Sequence, residues 1–180
     1  MKKIIMLSLT VVIGACGFAQ RLVPKTQGSS VAFAIKNFGL TVNGSFTGLQ
    51  GAFFFNPANP GVASFNVTVD AGTINTGNNS RDSHLKKRDY FNSTAFPKIS
   101  IASSKVSATG KAGSYLFEGI VTIKGKTKNI SFPFTAVAAG DGYLFEGSFK
   151  LNRRDFEVGG NSLVLSDLLT VNLKIKTAKG

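Results

Sequence analysis

Between Thr76 and Pro97 the chain carries its only histidine, His84, directly after Asp82 and Ser83. These residue types occur in hydrolytic sites, but a nucleophile, a base and an orienting group must converge on one point, and neighbours on one turn do not converge. The chain also has few side chains that could bind a metal, because His84 and Cys16 are its only histidine and cysteine. The sequence therefore predicts neither an enzyme nor a metal or cofactor site.

The same stretch is a polar island between two segments that read as β-strands. Apolar residues alternate with more polar ones on both sides of it, at Ala63, Phe65, Val67 and Val69 before it and at Ile99 and Ile101 after it. A long charged excursion between two strands is more often a functional loop or lid than a simple turn. Within it the sequence predicts one short helix, which begins after an N-cap at Asn78 or Asn79 and runs towards Lys87.

Period-two alternation elsewhere predicts about eight strands that are joined mostly by short turns. They lie near residues 31–36, 42–56, 61–71, 98–109, 114–124, 129–139, 142–151 and 171–176. Such a set could form a sandwich or a barrel. Closure into a barrel removes exposed edges that would invite aggregation. We therefore predict an all-β, eight-stranded antiparallel β-barrel, with the short helix and its loop between strands 3 and 4.

Strand parity also predicts which side chains face the interior of the barrel. If the lysine and glutamate side of each strand is the outside, the inside holds Phe33, Ile35, Phe65, Val67, Val69, Phe117, Val121, Ile123, Phe132, Phe134, Phe145, Phe149 and Leu173. Phenylalanine supplies apolar area without a group that needs a hydrogen bond, which suits a packed core or a cavity for a hydrocarbon tail. An eight-stranded barrel has room for either, and we expect Gly119 and Gly147 to leave space among the rings.

The first 19 residues have the layout of a secretory signal peptide. Two lysines precede an apolar run from Ile4 to Ile13, and small residues precede Gln20. The run is too short to remain as a bilayer span. The residues up to Cys16 also fit a lipoprotein processing site, so lipidation of Cys16 is the alternative to cleavage after Ala19. The sequence thus predicts a signal peptide at 1–19, one domain at 20–180, and a periplasmic or secreted location.

The chain is strongly basic, with a formal net charge of +12 that falls to +10 once Lys2 and Lys3 are removed with the signal. Export favours anionic lipid head groups, diphosphates or cell-surface polymers as partners over nucleic acid. No basic run is long enough for a nucleic-acid arm, and solubility alone would also explain the charge. We therefore predict no nucleic-acid partner.

Four segments resemble motifs of the YceI-like polyisoprenoid-binding family, in the family's order. They are TGNNSRDSHLKKRDYF at 76–91, FAIKNFG with VNGSF at 33–46, GIVTIKGKTK at 119–128, and LNRRDF at 151–156. The resemblance implies a lipocalin-like barrel that takes a polyisoprenoid or similar amphiphile into its interior. An isoprenoid quinone, a polyprenyl phosphate and a fatty amide are ligands of this class.

On this resemblance, eleven of the interior residues become the expected apolar binding site: Phe33, Ile35, Phe65, Val67, Val69, Phe117, Val121, Phe134, Phe145, Phe149 and Leu173. Arginine suits bidentate contact with a diphosphate. The expected head-group or loop residues are therefore Arg81, Asp82, His84, Arg153 and Asp155, with Lys86, Lys87 and Arg88 as further cations. Ion pairs of Arg81 with Asp82 and of Arg153 with Asp155 would instead fix the loop to the barrel.

The alternative function is a surface or adhesion-type β-domain with a packed core and no ligand. Transient contact with a membrane and a homodimer are both compatible with the sequence.

Overall fold

The computed structural model describes residues 19–180, which alternate between long strands and mostly tight turns as the period-two pattern predicts. The strands are β1 Gln20–Pro24, β2 Ser30–Asn37, β3 Leu40–Phe46, β4 Gln50–Phe55, β5 Ser64–Asp70, β6 Lys98–Ala108, β7 Ser114–Ile123, β8 Lys126–Ala139, β9 Gly142–Asn152 and β10 Leu165–Lys179. One helix, α1, spans Asn79–Leu85, and short 3₁₀ turns lie at Pro60–Val62, Ala71–Thr73 and Arg153–Phe156.

The ten strands fill eight positions in a closed antiparallel barrel, because two positions are each shared by two strands. β1 and β2 both pair with β10. β1 pairs with residues 177–179 of β10, and β2 pairs with residues 165–174 of β10. On the other side, β1 pairs with β4 and β2 pairs with β3, so β3 and β4 together occupy the neighbouring position. Pairing of β4 with β5 then closes the cylinder. The predicted eight-stranded barrel is confirmed.

Three strands differ most from the sequence expectation. The last one, β10, spans Leu165–Lys179, whereas the sequence predicts a strand only near residues 171–176. The sequence predicts one strand at 42–56, whereas the structure interrupts it at residues 47–49 between β3 and β4. The short strand β1 was not predicted, because five residues with a terminal proline give too little alternation to read. Residues 25–29 separate β1 from β2 and lie beside the break at 47–49, because β1 pairs with β4 and β2 pairs with β3.

The end of the barrel that holds the β4–β5 and β8–β9 connections is tightly packed with aromatic rings. The Phe55 ring meets the Tyr115 and Tyr143 rings edge-on, at centroid distances of 5.2 and 5.1 Å. Leu22 and Phe55 are almost completely buried there. Burial, with a smaller contribution from the charge of Tyr143, raises the pKa of the Tyr115 hydroxyl above its usual value. This packed end supplies the dry core of the molecule.

The predicted short helix is present between β5 and β6, at the opposite end of the barrel. The side chain of Asn78 caps it by accepting a hydrogen bond from the Arg81 backbone N–H at 3.0 Å. The helix ends at Leu85, two residues earlier than expected, because the chain turns back and the Phe91 N–H donates to the Leu85 carbonyl at 3.0 Å. The excursion at residues 76–97 thus folds over this end of the barrel, and we call it the cover.

The cover meets the barrel wall along the outer edge of β3. Within residues 19–180, that edge forms a single bridge, in which Ser45 and Asn75 exchange backbone hydrogen bonds of 2.9 and 3.0 Å. From Leu40 to Gly44 the described chain gives the outer edge of β3 no ladder partner. Within the described chain, the wall therefore has an edge without backbone pairing at residues 40–44.

No helix in the described part of the chain is long and apolar enough to span a membrane. The predicted signal peptide up to Phe18, and the candidate lipidation site at Cys16, lie outside the described residues.

Candidate functional site

An apolar cavity of about 370 Å³ occupies the half of the barrel nearer to α1. Every strand from β2 to β10 contributes side chains to its wall, because period-two alternation turns one side of each strand inward. The packed aromatic rings of Phe55, Tyr115 and Tyr143 are not part of this wall. The interior is thus divided into a dry end and a hollow end, so neither the packed-core nor the cavity expectation describes all of it.

All interior residues predicted from strand parity lie on the cavity wall: Phe33, Ile35, Phe65, Val67, Val69, Phe117, Val121, Ile123, Phe132, Phe134, Phe145, Phe149 and Leu173. Their contact with a ligand stays a prediction. The wall also includes side chains that strand parity did not supply, among them Tyr90 and Phe91 from the cover. Both are the last residues of the motif at 76–91 that contains His84, and that motif is the signal that could have added them.

A row of stacked rings forms one side of the cavity across three neighbouring strands. The Phe132 ring stacks on Phe117 at 4.8 Å and on Phe149 at 4.6 Å. These rings fill the space that Gly119 and Gly147 leave: a Cβ at Gly147 would lie 3.0 Å from the Phe132 ring, and one at Gly119 would lie 2.8 Å from the Phe117 ring. At Gly119 the nearest atom to such a Cβ would be the Ala102 carbonyl oxygen, whereas Gly147 also lines the cavity. Protein atoms therefore occupy the expected space at Gly119, and Gly147 packs against the Phe132 ring at the edge of the cavity.

Thr76 connects the polar side chains of the site by hydrogen bonds. The sequence analysis did not identify Thr76, although it is the first residue of the motif at 76–91. The Thr76 hydroxyl accepts a hydrogen bond from Arg81 Nε at 2.7 Å and donates to the Asp82 carboxylate at 2.5 Å. The Thr76 backbone N–H also donates to Asp82, and its carbonyl accepts from Arg81 Nη2 at 2.9 Å. The expected direct ion pair of Arg81 with Asp82 was wrong, because Thr76 stands between them.

Arg81 keeps part of its hydrogen-bonding capacity. Its side chain lines the cavity, and no hydrogen bond within residues 19–180 uses its Nη1 atom. No carboxylate among those residues lies within ion-pair distance of its guanidinium. Asp82 is buried and does not line the cavity, and its Oδ1 accepts both hydrogen bonds from Thr76. Of this pair, only Arg81 can offer a charge to a ligand in the cavity.

Arg153 also lines the cavity, but its guanidinium is saturated. Its five N–H groups donate to four backbone carbonyls and one carboxylate, those of Val158, Gly160, Leu165, Ser166 and Asp167. The ion pair with Asp167 is 2.6 Å long, and Arg153 is almost fully buried. The expected pairing with Asp155 was wrong, since Asp155 is exposed on the 3₁₀ turn. Arg153 therefore holds the β9–β10 connection together and has no N–H left for a head group.

The remaining expected residues separate into two groups. The His84 ring meets Tyr90 at 4.8 Å, and both residues line the cavity and a shallow polar groove beside it. Arg88 lines that groove only. Lys86 and Lys87 are exposed and belong to neither wall. The structure therefore brings Arg81 and His84 to the polar end of the cavity and leaves both lysines in solvent.

The chain is similar to several known proteins along most of its length. A family profile described as YceI-like domain matches residues 23–177. A UPF0312 protein of Pectobacterium carotovorum subsp. carotovorum is 30% identical over 141 residues, which cover 73% of this chain and 71% of that protein. Protein YceI of Shigella flexneri is 29% identical, with coverage of 73% and 72%.

Solved structures share the architecture at lower sequence identity. Burkholderia cenocepacia BcnA superposes with a TM-score of 0.78 at 23% identity, covering 84% of this chain and 96% of that one. A polyisoprenoid binding domain from Saccharophagus degradans, implicated in plant cell wall breakdown, superposes with a TM-score of 0.71 at 13% identity. That comparison covers 88% of this chain and 98% of the other.

Proposed function

Because this chain belongs to the YceI-like family, whose profile spans nearly all of the described barrel, we propose that it is an exported binding protein for a polyisoprenoid or similar amphiphile. The proposed ligands are an isoprenoid quinone, a polyprenyl phosphate or a fatty amide. Its role is to hold the ligand and not to transform it, and it needs no cofactor. The polyisoprenoid-binding relative of the same fold supports this class of ligand.

The observation that carries the proposal is the apolar cavity in the hollow end of a closed barrel. Its wall is built from phenylalanine and aliphatic side chains of nine strands, with Arg81 and His84 at the polar end. Burial of about a dozen methylenes at roughly 0.8 kcal/mol each gives on the order of 10 kcal/mol, which allows micromolar or tighter binding after ordering costs. The tail would thus supply affinity, and Arg81 would orient the head group.

Export is the second part of the proposal and rests on the sequence of residues 1–19. Cleavage after Ala19 would release the barrel into the periplasm or medium, where a carrier could move a lipid through water. Lipidation at Cys16 would tether the same barrel to a membrane.

The test is mass spectrometry of an organic extract from protein that has been expressed with its first 19 residues and purified without detergent. We expect a co-purifying isoprenoid or related amphiphile. Ile35→Trp should reduce the lipid load, because Ile35 lines the cavity. Ser131→Trp is the control, since Ser131 is exposed on β8 and lines neither the cavity nor the groove, and it should leave the load unchanged.

A protein that carries no lipid and binds neither a polyprenyl diphosphate nor a long-chain quinone would contradict the proposal. That result would leave the surface or adhesion-type domain as the better description. Equal loss of lipid in the two tryptophan variants would show that the cavity is not the binding site.

A further inference from the structure

Five large apolar side chains are exposed together at the end of the barrel that contains the cavity. Phe38 and Leu40, at the β2–β3 turn, are 74% and 73% exposed. Leu163, Val164 and Leu168, around the start of β10, are also exposed. The Phe38 N–H donates to the Val164 carbonyl at 2.9 Å, which joins the two segments into one surface. We call these five residues the rim patch.

Phe38 occupies a position that the backbone does not favour for a bulky residue. The β2–β3 turn has two residues, Phe38 and Gly39, with φ of 51° and 75°. Positive φ at both positions is the type I′ pattern, which prefers Asn-Gly, and a bulky side chain there is an outlier. Because Phe38 is exposed, packing does not explain it. Strain of this kind at an exposed aromatic points to a function outside the fold.

The rim patch is continuous with the cavity wall. Asn37 and Leu165, which flank it in the chain and pair with each other, both line the cavity. Leu169, directly after Leu168, lines it as well. Leu40 begins the β3 edge that lacks a ladder partner in the described chain. The exposed apolar surface therefore lies where a ligand would enter the barrel.

The charged residue nearest to the rim patch is Asp167, which precedes Leu168 and is paired with Arg153 at 2.6 Å. Residues 37–45 and 158–166 contain no charged residue. Lys36 and Arg154, which precede these two segments closely, form no ion pair within residues 19–180. Arg154 is followed by the exposed Asp155 and hydrogen-bonds to Asn161, so Lys36 is the bordering cation without an adjacent acid. An apolar surface with its one acid paired and with Lys36 at its border fits the boundary region of an anionic bilayer, where apolar side chains insert and cations meet head groups.

We propose that the rim patch docks on the surface of an anionic lipid bilayer, with Phe38 and Leu163 inserted among the lipids, so that a ligand passes between bilayer and cavity without crossing water. This inference rests on the proposed function. A second copy of the chain fits less well, because five side chains are few beside the roughly 20–30 residues a side of a stable protein interface. The net charge of +10 that remains after removal of Lys2 and Lys3 adds attraction to anionic lipid.

The test is flotation of the protein with vesicles of phosphatidylcholine that contain phosphatidylglycerol. Phe38→Asn should weaken vesicle binding about tenfold or more, since the lipid would lose one buried aromatic side chain. The same variant should keep or raise the thermal midpoint, because Asn suits the turn. Leu163→Ser should show the same loss of binding. Val137→Ser is the matched control, because Val137 is exposed on β8 near the packed end.

Binding of a short-chain, water-soluble quinone is measured on the same proteins. We expect it to be unchanged in all three variants, which separates failure of docking from failure of the proposed function. Unchanged vesicle binding in Phe38→Asn and Leu163→Ser would overturn the docking proposal, as would an equal loss in Val137→Ser. Loss of self-association in sedimentation, without loss of vesicle binding, would assign the rim patch to a second copy.

Discussion

Arg81 and Arg153 show how two arginines on one cavity wall differ in what they can offer a ligand. Both belong to motifs that resemble the family, and from the sequence both were expected head-group residues. In the structure, all five side-chain N–H groups of Arg153 donate hydrogen bonds to the protein. The Nη1 atom of Arg81, by contrast, forms no hydrogen bond within residues 19–180. Thr76 fixes the Arg81 side chain and leaves its charge without a carboxylate partner. Charge selectivity should therefore depend on Arg81.

Replacing Arg81 by Gln should weaken a polyprenyl diphosphate by about tenfold or more, since a hydrogen bond to a charged group contributes roughly 1.5–3 kcal/mol. A neutral quinone with the same tail should change much less. Titration calorimetry or fluorescence displacement with both ligands measures the difference. Lys87→Gln is the control, because Lys87 is exposed and lines neither the cavity nor the groove.

A structural effect of Arg81 would give a different result. If the variant lost both ligands equally, its role would be to hold Thr76 and Asp82 in place, and the head-group role would be withdrawn. The proposed burial of the ligand tail in the barrel would be unaffected.

At the level of elements, Arg153 clamps the long connection between β9 and β10. The connection contains no regular structure after the 3₁₀ turn, yet the Arg153 guanidinium binds carbonyls from Val158 to Ser166 and the Asp167 carboxylate. These bonds replace the ladder that a hairpin would provide. The exposed part of the rim patch at Leu163 depends on this clamp for its position.

Arg153→Lys should lower the free energy of unfolding by about 3 kcal/mol, because lysine cannot reproduce the planar fork and leaves buried carbonyls without donors. Arg154→Lys should cost less than about 0.5 kcal/mol, since Arg154 hydrogen-bonds through its side chain only to Asn161. Urea unfolding of both variants provides the measurement. Similar values for the two would show that the guanidinium network does not stabilise the connection.

The sequence predicted the strands and the inward set well because alternation is a local signal. Phe65, Val67 and Val69 reveal their common face within one strand, and Asn78 marks the start of α1 without knowledge of the rest. The partners of Arg153 could not be predicted in this way, because they lie 5 to 14 residues away on an irregular connection. The hydrogen bonds of Thr76 to Arg81 and Asp82 were also missed, because the adjacent opposite charges of these two residues suggested a direct ion pair.

At the scale of the whole molecule, the packed aromatic rings and the cavity lie at opposite ends of one barrel. The packed end around Phe55 and Tyr115 has the edge-on aromatic contacts of a dry core. The hollow end carries the cavity, the cover and the rim patch. The two ends share strands and one continuous cluster of buried side chains. Phe145, for example, contacts Phe55 of the packed end and also lines the cavity.

The unpaired edge of β3 bears on how the barrel opens. A fully paired barrel unfolds as one cooperative unit, whereas the β2–β3 hairpin is held by backbone pairing to β10 on one side and by a single bridge on the other. Hydrogen–deuterium exchange should therefore show amides in 40–44 exchanging well before those of β7 and β8. Uniform protection across these strands would contradict this prediction. If it holds, the hairpin is a separate unit of local unfolding, and the protein can admit a bulky guest molecule without losing its native state.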